Sequence, residues 1–302
     1  MLRDLSDALK DLIDKGYNWT LYKSLSSGGL NRAQAQGAHL EDIVKDILCG
    51  VAPDDAQGRE TVLIKFLAFQ GAANNPPDAM FRGGNSGDAF EVKKSEKKSS
   101  GSLDLNSSHP YSHLTSDLSR IAREARECEV WNKRDIHYVM GNVLTSQTTN
   151  NWIWIVQGNI FAADLQSYRD FESDIKSHIE EAIIANALEP GLTNELGRIN
   201  GVDLRENTDL RIRPMWGITS PMRLFKDLPG IVESDSDGLV VHCLIRKSKW
   251  ESLLINKPAE FQEFWSKSQL PVMSISDVTV PDPDDLKKVL EVKLIRIVLN
   301  YS

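Results

Sequence analysis

Apolar residues that recur every three or four positions predict five helices along the chain. The ranges with this spacing are 2–15, 39–49, 59–70, 115–128 and 165–188. Shorter apolar and aromatic runs bounded by polar turns predict strands, which lie at 136–144, 152–162, 210–213, 239–245 and 292–299. Helices and strands in this mixed order are typical of an α/β fold, with a central mixed β-sheet flanked by helices.

The segment 74–98 has a different pattern, in which two short apolar runs are separated by a Gly-Gly-Asn-Ser-Gly turn. This arrangement predicts a β-hairpin. On its second strand Glu91 and Lys93 are two residues apart, so both side chains point to the same face. The turn brings Asp78 back beside Glu91 or Val92, and the sequence does not fix the register to one residue.

Two carboxylates and a lysine in this arrangement suit the hydrolysis of a phosphodiester. Carboxylate oxygens are ligands that Mg²⁺ prefers, and the ion keeps several waters when two acids hold it. A metal ion lowers the pKa of a bound water and neutralises charge that develops on phosphate oxygens. Asp78, Glu91 and Lys93 are therefore candidate catalytic residues, with Mg²⁺ as the candidate cofactor.

Asp88 is an alternative to Asp78 as the first acid of this site, because it lies only three residues before Glu91. Three residues along a regular strand place two side chains on opposite faces. This alternation favours Asp78 and leaves Asp88 as a possible extra acid.

The chain contains a second copy of the same signature, in which Asp282 is followed by Glu291, Val292 and Lys293. The residues between them, 284–290, lack a turn glycine and are interpreted as the start of a helix with acids in its first turn. We expect the second copy to be structural.

The composition is that of a soluble globular protein, with 302 residues of which 41% are hydrophobic and 26% charged. No apolar run is long enough to span a bilayer and the N-terminus lacks a secretion signal, so we expect a cytoplasmic protein without a membrane partner.

Three separated cysteines, Cys49, Cys128 and Cys243, indicate reduced core residues. Gly28, Gly29 and Gly37 are not followed by Gly-Lys-Ser/Thr, so we expect no nucleotide cofactor.

Further blocks surround the hairpin, and together they resemble the NgoPII-type restriction endonucleases within the PD-(D/E)XK nucleases. The matching blocks are Asn75-Pro76-Pro77-Asp78, residues 87–94, 105–108 with Pro110, Cys128 to Trp131, Asp135, Tyr138, Gly141, 154–158 and 210–216, with Asn31-Arg32 and 40–46 upstream. The resemblance covers about residues 30–225. It implies a restriction-endonuclease-like core and cleavage of double-stranded DNA.

The resemblance also implies roles for individual residues. The metal would be bound by Asp78, Glu91 and the backbone carbonyl of Val92, and Lys93 would be the catalytic lysine. Glu41 lies on a predicted helix where related enzymes sometimes carry an extra acid near the metal.

DNA contacts are expected from polar and basic residues outside this site. The net charge of −8 argues mildly against nucleic-acid binding, but basic islands at 93–98 and around Arg211 offset it locally. Arg211 and Arg213 alternate along a predicted strand and can present two guanidinium groups on one face, either to DNA or to surface salt bridges. The expected DNA-binding residues are Lys94, Asn106, Ser107, Ser108, Arg211 and Arg213.

We interpret residues 1–302 as a single restriction-endonuclease-like domain. Its expected parts are a helical N-terminal part (1–73), the catalytic core (74–165) and a C-terminal elaboration for DNA reading or dimerisation (166–302). A homodimer would match a palindromic site, which by resemblance is G/C-rich and GGCC-like, in a restriction-modification system. A structure-specific repair or junction nuclease and a non-catalytic DNA-binding protein are the alternatives.

Overall fold

The computed structural model describes the greater part of the chain. The described ranges are 2–15, 32–51, 58–71, 75–94, 101–106, 108–141, 151–186, 188–205, 207–231, 238–267 and 269–300. Among these residues, no helix combines the length and the apolar character needed to cross a membrane.

The fold is α/β, as the sequence predicts, with a large mixed sheet between helices. The helices are α1 (Leu5–Lys15), α2 (Arg32–Cys49), α3 (Arg59–Phe66), α4 (Arg123–Glu127), α5 (Gly158–Phe161), α6 (Leu165–Ala185), α7 (Pro221–Leu224), α8 (Lys247–Leu254) and α9 (Ala259–Ser266). The strands are β1 (Leu67–Gln70), β2 (Ala79–Phe81), β3 (Ala89–Lys94), β4 (Ser102–Asn106), β5 (His113–Thr115), β6 (Lys133–Gly141), β7 (Asn151–Gln157), β8 (Gly197–Ile199), β9 (Leu210–Ile212), β10 (Trp216–Thr219), β11 (Gly238–Arg246), β12 (Gln269–Leu270), β13 (Met273–Pro281) and β14 (Val289–Asn300).

The main sheet has the strand order β1-β2-β3-β6-β7-β11-β14-β13-β12, and β5 pairs with the start of β6. Two of its pairings, β3 with β6 and β7 with β11, are parallel, whereas its other pairings are antiparallel. Two small ribbons, β4 with β10 and β8 with β9, lie outside it. Strand β11 is buried from Gly238 to Ile245, which is why its sequence is a continuous apolar run rather than an alternating one.

Helices and loops cover both faces of the sheet. On one face, apolar residues of α1, α2, α3, α8 and α9 pack against side chains such as Phe90 and Val92 of β3. On the opposite face, the chain from Tyr111 to Trp131, helix α5 and Phe225 pack against side chains such as Ala89 and Tyr138. Because side chains alternate along a strand, Glu91 and Lys93 share the second face with Ala89.

The predicted helix at 115–128 is wrong over most of its length. Strand β5 ends at Thr115, turns follow, and helix α4 covers only Arg123–Glu127. Ala122 has an extended backbone, with ψ of 137°, and its N–H donates to the carbonyl of Pro76 at 3.1 Å. The Ala122 N–H therefore bonds to a distant segment instead of to a carbonyl of the helix that the apolar spacing predicts.

Other element boundaries also differ from the expectations. The predicted helix 59–70 ends at Phe66, because the next four residues form β1 against β2. The predicted strand 152–162 ends at Gln157 and continues as α5. Residues 284–290 do not begin a helix: they form a turn closed by a bond from Asp282 N–H to the Lys288 carbonyl at 3.1 Å, and β14 starts within them. Residues 142–144 lie outside the described ranges.

Candidate active site

Asp78 and Glu91 are held side by side in the hairpin formed by β2 and β3. Asp78 precedes β2, and its backbone N–H donates to the Phe90 carbonyl at 2.8 Å. Its side-chain Oδ2 accepts a hydrogen bond from the Val92 N–H at 2.6 Å. These two bonds flank Glu91, so they fix the position of Asp78 next to the Glu91 carboxylate.

Lys93 completes a compact cluster on this face of the sheet. Its Nζ lies 2.6 Å from Oε1 of Glu91, whose side chain is only 8% exposed. The other carboxylate oxygen of Glu91, Oε2, is buried and has no hydrogen-bond partner in the described part of the chain. A buried oxygen without a partner is costly, so an ion or a water is expected to satisfy it.

The electrostatics of the cluster follow from its burial. Burial and the neighbouring charge of Asp78 raise the pKa of Glu91 to about 7, although Lys93 acts in the opposite direction. Burial likewise raises the pKa of Asp78. Burial acts to lower the pKa of Lys93, but the Glu91 carboxylate more than offsets this and the pKa is raised, so the ammonium keeps its proton.

Helix α2 brings a third acid into electrostatic range of this cluster. Burial, followed by the charge of Asp78, raises the pKa of Glu41, and the positive charge of Lys45 acts against this rise. Lys45 also acts against the rise in the pKa of Asp78. Within the described ranges, no group of three or more His, Cys, Asp or Glu side chains is arranged to hold a metal ion. A metal at this cluster would therefore rely on two carboxylates together with backbone carbonyl and water oxygens.

Asp88 is not part of this cluster. It lies on the opposite face, where its Oδ1 accepts a hydrogen bond from Lys249 Nζ at 2.7 Å and its Oδ2 is 3.3 Å from His137 Nε2. The same ammonium is 2.8 Å from Oδ2 of Asp135. Burial alone would raise the pKa of Asp88, but His137 and Lys249 outweigh it and the pKa is lowered. These ionic contacts connect α8 to β3 and β6.

The turn of the hairpin is clamped by two residues for which the sequence suggested no role. Oε2 of Glu129 accepts hydrogen bonds from the N–H groups of Gly83 and Gly84, at 3.0 and 2.9 Å. Gly83 has a φ of 139° and Gly84 a φ of 56°, conformations that favour glycine. Arg134, which is fully buried, donates to the same Glu129 oxygen and to the carbonyl of Phe81.

Tyr138 lies next to Glu91 on the same face, and Tyr111 is bonded to the tip of Tyr138. Glu91 and Tyr138 are neighbours in the parallel pairing of β3 with β6. The Tyr138 hydroxyl accepts a hydrogen bond from the Tyr111 N–H at 2.6 Å and donates to the Tyr111 carbonyl at 3.4 Å. Burial, with a smaller contribution from the charge of Glu91, raises the pKa of Tyr111 to about 12, so its phenol is neutral.

The two expected arginines of the DNA-binding group bind an acid of the same chain. Arg211 makes two hydrogen bonds to Glu195, at 3.0 and 2.6 Å, and Arg213 makes one at 2.6 Å. Both guanidinium groups therefore lie on the same side of this segment, as the alternation of side chains along the predicted strand suggests. Arg213 itself follows the end of β9. Since both side chains are more than half exposed, this pairing leaves them accessible.

The remaining expected DNA contacts are only partly described. Lys94 ends β3 and points away from Lys93. Ser108 is half-buried, and its N–H donates to the Leu105 carbonyl. The backbone of Asn106 pairs with Trp216 of β10, whereas its side chain and all of Ser107 lie outside the described residues.

The second copy of the signature has a different environment. Glu291 is exposed and lies opposite Thr279, and Asp282 is beyond the end of the β13–β14 pairing. Lys293 pairs with Asp277, with 2.8 Å between Nζ and Oδ1. The acids of this copy are thus not brought together, which agrees with a structural role.

Comparison with known proteins supports the resemblance carried by these motifs. The model of the NgoPII restriction endonuclease family matches residues 4–281, well beyond the 30–225 that the motifs span. The chain is 34% identical over 266 residues to the Type II restriction enzyme NgoPII of Neisseria gonorrhoeae, and the alignment covers 88% of this chain and 90% of that enzyme. No solved structure matches the chain.

Proposed function

The chain belongs to the NgoPII restriction endonuclease family, and we propose that it cuts both strands of double-stranded DNA at a short palindromic site in a reaction that requires Mg²⁺. The observation that carries the proposal is the cluster of Asp78, Glu91 and Lys93 around the buried Glu91 carboxylate, on one face of the sheet. Family membership supplies the class of reaction, and the cluster supplies the groups that such a reaction needs.

The residues of the cluster fit a hard divalent cation. Asp78, Glu91 and the Val92 carbonyl offer oxygen ligands, and the unpartnered Oε2 of Glu91 is a buried acceptor that a cation would satisfy. When bound, Mg²⁺ would lower the pKa of a coordinated water and offset negative charge on the phosphate. Glu41, within electrostatic range of Asp78, is a candidate extra ligand through water.

Lys93 has two tasks in this proposal. Its ammonium is charged and is held against Oε1 of Glu91, so it orients that carboxylate in the free enzyme. With DNA bound, the same group would hydrogen-bond to the scissile phosphate and to the attacking water. The leaving oxygen is the 3′-oxygen, so the product carries a 5′-phosphate.

A two-fold homodimer with one cluster facing each strand matches the symmetry of a palindromic site, so we infer a homodimer. By resemblance to the family, the recognised site is G/C-rich and GGCC-like. Exposed Arg211 and Arg213, together with Lys94, Asn106, Ser107 and Ser108, are the proposed DNA contacts. We assign DNA reading or dimerisation to residues 166–302.

Incubation with unmethylated phage DNA tests the proposal directly. We expect discrete bands on a gel with Mg²⁺ and an unchanged substrate with EDTA, and mapping of the cut ends would give the site and the offset. Binding without any cleavage would contradict the proposal. Cleavage of branched or mismatched DNA alone would also contradict it, and would indicate a structure-specific nuclease.

A further inference from the structure

Two buried polar atoms near the catalytic cluster lack hydrogen-bond partners in the described part of the chain. One is Oε2 of Glu91, and the other is the hydroxyl oxygen of Tyr111, a side chain that is only 2% exposed. A phenol hydroxyl donates one hydrogen bond and a carboxylate oxygen accepts one, so the two groups are chemically complementary. Buried polar groups normally have a hydrogen-bond partner, so the lack of one for both groups calls for a structural explanation.

Strand pairing and hydrogen bonds connect Tyr111 to Glu91 through Tyr138. Side chains at paired positions of adjacent parallel strands point to the same face, and Glu91 is paired with Tyr138 in this way. The tip of Tyr138 is bonded to both the N–H and the carbonyl of Tyr111. Tyr111 is therefore held at the far end of the residue that neighbours Glu91.

The position of Tyr111 is fixed from the other sides as well. A Cβ at position 158 would approach the Tyr111 carbonyl to 2.6 Å, so Gly158 is needed where α5 passes under this loop. The His109 ring lies 4.8 Å from the Tyr111 ring and stacks at 5.3 Å on the ring of Tyr168. A side chain held in this way can direct its hydroxyl without a large loss of conformational entropy.

We propose that Tyr111 is a positioning residue of the active site, whose hydroxyl donates to Oε2 of Glu91 through one bridging water. Lys93 already holds Oε1, so the carboxylate is oriented from both of its oxygens. The inference rests on the proposed function, because its purpose is to keep Glu91 in the orientation that binds the metal. Supporting groups of this kind typically contribute a factor of about 10–100 to metal affinity or activity.

The test is the substitution Tyr111→Phe, which removes only the hydroxyl. Mn²⁺ binding to the free protein, followed by electron paramagnetic resonance, gives a readout that does not depend on cleavage, and Mn²⁺ takes the same oxygen ligands as Mg²⁺. We expect Y111F to bind Mn²⁺ about tenfold more weakly than the wild type. We also expect its melting temperature to be unchanged or slightly higher, because no protein hydrogen bond in the described residues is lost.

Tyr168→Phe is the matched control, since Tyr168 belongs to the same aromatic group but its hydroxyl accepts from the Ala163 N–H. We expect Y168F to bind Mn²⁺ like the wild type. Wild-type affinity in Y111F, in a protein that binds Mn²⁺ and cuts DNA, would overturn the role of Tyr111 alone. A wild-type protein that neither binds Mn²⁺ nor cuts DNA would overturn the proposed function together with this inference.

Discussion

The chain carries the tripeptide Glu-Val-Lys twice, each time on a strand of the same sheet and each time after an Asp. In the first copy, Glu91 is buried, Asp78 is bonded beside it and Lys93 turns back onto its carboxylate. In the second copy, Glu291 is exposed and Lys293 is paired with Asp277 of the neighbouring strand. The two copies differ because the register brings the acids together, and burial raises the pKa of the glutamate, only in the first copy, and this is why we propose an active site there.

The sharpest way to test this contrast is to remove one acid from each copy. We expect Glu91→Gln to lower the cleavage rate by more than about 100-fold, beyond the loss caused by a supporting residue, since a proposed metal ligand is removed. Glu291→Gln changes an exposed side chain and should leave cleavage at the wild-type level. Rates measured on one DNA fragment with Mg²⁺ compare the two, and equal losses would contradict the contrast.

The turns of the two hairpins should also respond differently. Glu129→Gln weakens the clamp on Gly83 and Gly84 and leaves the buried guanidinium of Arg134 without its charge partner. We expect cleavage to fall by roughly tenfold, the lower end of the range for supporting residues. Asp285→Asn in the exposed turn of the second copy should change the free energy of unfolding by no more than about 0.5 kcal/mol and leave cleavage unaffected.

Metal binding should depend on pH at the first copy. Because the pKa of Glu91 is raised to about 7, protons compete with the metal for this carboxylate below that pH. We expect Mn²⁺ affinity of the free protein to fall by about tenfold between pH 8 and pH 6. Calorimetric titration at both pH values measures the change, and a pH-independent affinity would show that Glu91 is not a ligand.

Asp88→Asn, which separates the two candidate first acids, should affect stability rather than cleavage. Asp88 is hydrogen-bonded to Lys249 and lies 3.3 Å from His137 on the opposite face, so we expect its loss to lower the free energy of unfolding by about 3 kcal/mol while the rate at 25 °C stays close to wild type. A loss of cleavage in a folded D88N protein would favour Asp88 over Asp78.

The stability contribution of Asp88 has a defined pH dependence. Its pKa is lowered in the folded protein, so the contribution is present above the ordinary pKa of aspartate and is lost as the pH falls through the folded-state pKa. The difference in unfolding free energy between wild type and D88N should therefore be largest near neutral pH and shrink in acid. Urea unfolding at several pH values measures it.

The sequence predicted the parts of the site that depend on local periodicity. Strand alternation places Glu91 and Lys93 together and Asp88 on the other face, and no other information was needed. The register of Asp78 could not be predicted, because it is determined by bonds to Phe90 and Val92 and by the clamp of Glu129 on Gly83, two residues that lie 46 positions apart. The helix expected at 115–128 failed for a similar reason, since Ala122 bonds to Pro76.

The most direct test of the account is a comparison of Lys93→Ala with Lys293→Ala on one DNA fragment, with both cleavage and binding measured. We predict that K93A still binds the DNA but no longer cuts it with Mg²⁺, whereas K293A binds and cuts like the wild type. Cleavage retained in K93A would contradict the assignment of the Asp78–Glu91–Lys93 cluster as the active site.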